Sequence, residues 1–175
     1  MRSTASEPGA AVTPSAGAAY AREVIPAPLA DLLAELESLD RPRRTELLLG
    51  YADRYIEVPA SVAARPYSEL HRVPRCESEA YVFPVDNADG TVTFHFAIES
   101  PVGVSARAWA AILGETCSSQ PLEQVARIPA DAVYHIFGRD LSMGKGQGLI
   151  GMADLVSHAA RRRLAARHAT RPETG

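Results

Sequence analysis

AYVFPVDNADGTVTFHFAI, residues 80–98, reads as two β-runs folded back on each other. The second run, Thr91 to Ile98, alternates strictly, with Val92, Phe94, Phe96 and Ile98 inward and Thr91, Thr93, His95 and Ala97 outward. A half-buried strand needs this period of two, because successive side chains point to opposite faces of a sheet. The first run, Ala80 to Val85, is apolar almost throughout, and Asn87-Ala88-Asp89-Gly90 between the runs is a good hairpin connection. A third short β-type run, His71-Arg72-Val73, lies just upstream. A small three-stranded antiparallel sheet is therefore expected.

On both sides of this region the apolar period becomes helical. Leu29, Leu32, Leu33 and Leu36 recur at helical spacing, and Asp40 can cap a second helix carrying Leu48, Tyr51, Ala52 and Tyr55. Downstream, Ser105 can cap a helix holding Trp109, Ile112 and Leu113, with Gly114 as its stop. Short helices follow around Leu122 to Ala126 and Ala130 to Phe137. A long one runs from about Gln147 to His168, with Leu149, Met152, Leu155, Val156 and Ala159 inward. Helices flanking a small antiparallel sheet define an α+β fold. Residues 1–25 are rich in Ala, Ser, Thr, Gly and Pro and cannot bury enough surface to offset their ordering entropy, so a disordered leader is expected there. The folded domain is expected over 26–168, with a disordered tail at 169–175.

Composition narrows the function classes. The chain has 175 residues, enough for one well-cored domain. Apolar residues make up 46% and charged residues 22%, the balance of a soluble globular protein. A net charge of −3 implies no nucleic-acid partner, and no apolar run approaches a membrane span. Two cysteines, Cys76 and Cys117, are too few for a disulfide framework, so a cytoplasmic, reducing location is expected. Five scattered histidines without ligand spacing suggest no zinc site.

Cys76 is the residue with chemical content. It lies between the runs ending at Val73 and beginning near Ala80, where a loop supported by sheet on both sides presents reactive groups. Arg75 adjoins it and His71 is close in sequence, and a nearby cation favours the thiolate over the thiol.

The segment His71-Arg72-Val73-Pro74-Arg75-Cys76-Glu77-Ser78-Glu79-Ala80-Tyr81-Val82 resembles the active-cysteine segment of SufE-like proteins, the sulfur acceptors of cysteine desulfurases. A second match is Leu141-Ser142-Met143-Gly144-Lys145-Gly146-Gln147-Gly148-Leu149, which resembles the family motif opening its last helix. The resemblance covers about residues 28–165. It implies a SufE/IscU-like fold and a persulfide carrier with Cys76 as acceptor, supported by Arg75, His71, Lys145 and Gln147. The implied partners are a pyridoxal-phosphate cysteine desulfurase, which the carrier binds and stimulates, and a downstream iron–sulfur scaffold or other sulfur acceptor. The carrier itself would be a monomer or homodimer, with no cofactor and no turnover alone. Glu77 stands where the family usually has Gln, Met143 where it has Pro, and Lys145, the only lysine of the chain, where it has Arg.

Two other readings stand beside this one: a stand-alone cysteine hydrolase with His71 or His95 as base, and a non-catalytic adaptor that docks to a desulfurase. The glycines of Gly144–Gly148 lack the spacing of a phosphate loop and read as structural. Trp109 is expected in the core and Cys117 in a surface loop. The Arg161–Arg163 run is expected to be a solvated helix end.

Overall fold

The computed structural model describes residues 24–169. The core begins one residue before the expected domain start, with Ile25 already buried. Residues 1–23 of the expected leader, and the tail beyond Ala169, lie outside the described residues. Among the described residues, helices surround one hairpin in the order α1 (Ala27–Ser38), α2 (Arg41–Asp53), β1 (Ala80–Asp86), β2 (Val92–Ile98), α3 (Val104–Cys117), α4 (Leu122–Val125), α5 (Ala132–Phe137) and α6 (Met143–Ala169).

Local chemistry sets most boundaries. Asp40 caps α2 as expected, its side chain accepting a hydrogen bond from the Arg43 amide at 3.0 Å. The hairpin pairs Ala80 with Ile98 through Asp86 with Val92. Its turn closes through bonds from Asn87 N to Thr91 O and from Gly90 N to Asn87 O, both 2.9 Å, with Gly90 at φ 84°. That left-handed backbone is where glycine is favoured. Gly114 does not stop its helix. A single interior glycine costs only about 1 kcal/mol, and α3 continues to Cys117, starting at Val104 behind Gly103 rather than being capped by Ser105.

The sheet has two strands, not three. The 71–73 run yields one isolated bridge, Arg72 to Tyr81, and one bond from Val73 N to Ala80 O at 2.8 Å. His71 ends a 3₁₀ turn, Glu69–His71, and its amide is already bonded to Ser68 O. Its ring takes over instead, with Nδ1 donating to Val82 O at 3.0 Å. On the other side Pro74 has no amide to extend the ladder.

The inward face of the hairpin, Val92, Phe94, Phe96 and Ile98, packs on the helices as expected. The outward face is also covered. Ala97 is buried with Val58, Tyr81 and Phe83 under the segment leading into residue 67, which is tied on by Val58 N to Phe96 O at 2.7 Å. Trp109 is fully buried and its indole N–H donates to Leu149 O at 2.8 Å, joining α3 to α6. Cys117 is not in a surface loop: it is fully buried in the last turn of α3, with Thr116 Oγ 3.5 Å from its sulfur. The arginine run is not simply solvated either. Arg161 donates to Ala126 O at 3.0 Å, and Arg163 forms a two-bonded pair with Asp86 of β1.

Candidate functional site

Val73 to Glu79 forms a tight excursion whose ends are pinned by Val73 N to Ala80 O and by Glu79 N to Cys76 O at 3.1 Å. Arg75 at φ 55° and Glu79 at φ 47° hold left-handed backbone without being glycine. Such conformations cost about 1 kcal/mol or more each and persist where the surroundings over-determine them. Between them Cys76 is half-buried, a free thiol packed against the main core.

The surroundings responsible are a row of glycines on α6. Gly144, Gly148 and Gly151 are spaced four and three residues apart, so they share one helix face. The excursion lies directly on that face. A methyl group at Gly148 would stand 2.9 Å from Cys76 Sγ and 3.1 Å from its Cα. At Gly151 it would stand 2.8 Å from Val73 Cγ1, and at Gly144 it would overlap the Glu77 carboxylate. The sequence shows these glycines, but the chain they admit lies far upstream, before the hairpin, and nothing local announces that pairing.

Cys76 lines an opening on each side of its loop. The first is a cleft of about 250 Å³ between Cys76–Ser78, the Val102–Ala106 turn, and Gly144, Lys145, Gly148 and Leu149 of α6. The first turn of α3 enters this cleft with no side-chain cap, so the positive end of a 14-residue helix faces it. The second is a shallower opening of about 430 Å³ lined by Glu69, Arg72, Val73, Pro74, Arg75 and Cys76. Arg72 is committed there to Glu69 and Glu79, each at 3.3 Å, whereas Arg75 is exposed and makes no ion pair among the described residues.

The expected site residues therefore divide. Lys145 shares the first cleft with Cys76, and Arg75 shares the second. Gln147 is exposed and lines a neighbouring groove with Pro74, Arg75 and Asp154 instead. His71 lines neither opening beside Cys76: its ring lies tilted against Phe83, centroids 4.8 Å apart, on the far face of the hairpin. His95 is paired in register with Phe83, which puts it on that face as well. Among the described residues no His, Cys, Asp and Glu side chains gather to hold a metal ion.

The two thiols differ in what they can do. Burial pushes the Cys117 thiol up to about 12, an effect only partly countered by its bond with Thr116, so its thiolate is not populated near neutrality. Cys76 reaches solvent through two openings, with a cation at each.

A protein-family model described as "SufE: Fe-S metabolism associated domain" matches residues 30–160. Uncharacterized SufE-like proteins from two strains of Mycobacterium tuberculosis, H37Rv and CDC 1551, are each 29% identical over 108 residues, covering 61% of this chain and 72% of theirs. The solution structure of a hypothetical protein from Thermus thermophilus superposes with a TM-score of 0.62 at 25% identity, covering 81% of this chain and 98% of that one.

Proposed function

The chain belongs to the SufE family of Fe–S metabolism associated domains, and from that membership we propose that it is a persulfide-carrying sulfur acceptor. In this reading it binds and stimulates a pyridoxal-phosphate cysteine desulfurase and relays sulfur to iron–sulfur cluster or other sulfur-cofactor assembly in the cytoplasm. One observation carries the reading: the half-buried Cys76 thiol opens on a small cleft that also holds Lys145 and an uncapped helix start, while the other thiol is sealed in the core.

The chemistry follows from that placement. The Cys76 thiolate attacks the outer sulfur of a persulfide on the desulfurase. A new S–S bond forms at Cys76, the donor's S–S bond breaks, and the electron pair leaves with the donor thiolate, so no external oxidant is needed. Lys145 and the open first turn of α3 line the first opening beside Cys76, and Arg75 lines the second, so a cationic side chain borders the sulfur's route to solvent on each side. The glycine face of α6 holds the sulfur half-covered, which limits its contact with other thiols in solution. A hydrolase reading has no comparable support, because neither His71 nor His95 lines the openings beside Cys76.

Intact-mass analysis after incubation with cysteine and a desulfurase from the same cell tests the proposal. One added sulfur atom, about 32 Da per reactive thiol, is expected on the wild type and on Cys117→Ala. Cys76→Ser abolishes the addition. Sulfur on Cys117 alone, or none at all, overturns the reading. Full stimulation of the desulfurase after alkylation of Cys76 would favour the adaptor instead.

A further inference from the structure

The cleft beside Cys76 is lined by two residues of opposite charge that form no ion pair with each other or with another described residue. They are Glu77, whose carboxylate lies beside Gly144 of the same lining, and the exposed Lys145. Gly144 makes this possible on the acidic side, since any side chain there would displace the Glu77 carboxylate from its position over the start of α6. Ser78 and Ser105 line the same space, and neither hydroxyl has a protein partner among the described residues. At about 250 Å³ the cleft falls below the range of pockets for drug-sized ligands, so its size suits a small metabolite. A simple anion would meet Glu77 and a simple cation would meet Lys145. A zwitterion satisfies both, and one that carries sulfur brings it to Cys76.

We infer that this cleft receives a small zwitterionic amino-acid thiol, of the size of free cysteine, and passes to it the outer sulfur of Cys76. Binding stands on the cleft alone, whereas the transfer rests on the persulfide reading above. The ligand's ammonium pairs with Glu77 and its carboxylate with Lys145. Its thiolate attacks the outer sulfur of the Cys76 persulfide. The bond from that sulfur to Cys76 Sγ breaks, the electron pair returns to Cys76 as thiolate, and the amino acid leaves as a persulfide. The protein would thereby have a small-molecule outlet for sulfur besides a protein acceptor.

L-serine, with a hydroxyl in place of the thiol, is the probe for binding. It is expected to slow iodoacetamide alkylation of Cys76 saturably, while ethanolamine and 3-hydroxypropionate, each lacking one charge, do not. Glu77→Gln and Lys145→Met, both at exposed positions and checked for fold by circular dichroism, are each expected to weaken that protection roughly two- to fivefold, the worth of a partly exposed ion pair. Comparing rates with and without L-serine within each variant removes any direct effect of the substitution on the thiol. Absence of protection, or protection unchanged in both variants, overturns the inference. For the transfer, protein loaded with inorganic polysulfide and verified by mass is mixed with L-cysteine or 2-mercaptoethanol. Saturable discharge by L-cysteine alone is expected, and discharge by both thiols in proportion to concentration overturns the transfer. Because loading here needs no desulfurase, protection by L-serine without desulfurase-dependent loading would sink the persulfide reading and leave the binding site standing.

Discussion

At Gly148 a single methyl group decides where the reactive sulfur sits. Gly148→Ala would place its Cβ 2.9 Å from Cys76 Sγ, with the loop backbone only slightly farther at 3.1 Å, so the loop has to lift from α6. Overpacking of this kind costs about 1–3 kcal/mol, offset by the roughly 1 kcal/mol that alanine gains over glycine inside a helix. The fold therefore survives while the thiol moves outward. Gly148→Ala is expected to be alkylated by iodoacetamide several-fold faster at Cys76 than wild type, with a urea midpoint lowered by at most the equivalent of about 2 kcal/mol. An unaltered alkylation rate would show that the helix face does not position the sulfur. Cys76 was legible in the sequence because its signal is local: charged neighbours and flanking strand-like runs identify a loop thiol. Cys117 was not, since Thr116, Ser118 and Ser119 make its surroundings look exposed, and its burial depends on α3 running through Gly114 onto the back of the hairpin.

Among the elements, α6 connects the site to the rest of the fold. Its first turns carry the glycine face. Ile150 makes the helix wall beside Pro74 apolar, while Leu149 turns inward to α3. Trp109→Phe removes the indole donor to Leu149 O from a fully buried position. Lost burial and the lost bond together are expected to cost about 2 kcal/mol in urea unfolding, and the cleft wall at Leu149 loosens, raising the Cys76 alkylation rate. A variant as stable as wild type would show that the bond is dispensable to the α3–α6 contact. Further along, Arg163 holds β1 through Asp86, whose carboxyl is kept below its ordinary range by the hydrogen bonds from that guanidinium. The elements that were legible in the sequence have short-range causes: Asp40 capping α2, and Asn87 to Gly90 turning the hairpin. The third strand failed for two reasons: Pro74 offers no N–H, which the sequence does show, and His71 satisfies Val82 O with its ring, which depends on how the chain arrives from the 3₁₀ turn.

For the whole molecule, the covering of both hairpin faces has a consequence in alkaline solution. Cys117 is sealed under one face and its thiol is pushed from an ordinary 9.0 up to about 12 by burial. Tyr67 covers the other face, where burial, and then its hydrogen bond to Glu57, raise its phenol from 10.0 to about 12. Tyr55, bonded to Phe96 O, is raised as well, chiefly by burial. Below about pH 9 all three groups are protonated in both folded and unfolded chains, and their contribution to stability is complete. Between about pH 9 and 12 the unfolded chain releases protons that the folded chain retains, so the unfolded state gains and stability falls as pH rises. Cys117 dominates the early part of this decline, since its unfolded value is the lowest and its burial the deepest, while the half-exposed Tyr67 contributes less because solvent screens it. Urea midpoints measured upward from about pH 8 are expected to fall, beginning near pH 9. In Cys117→Ala the neutral-pH midpoint is lower, because a buried side chain has been cut back, but the fall begins about one unit later, where the tyrosines of the unfolded chain start to ionise. Parallel curves for the two proteins would show that Cys117 ionises as readily folded as unfolded, and that the back of the hairpin is open to water.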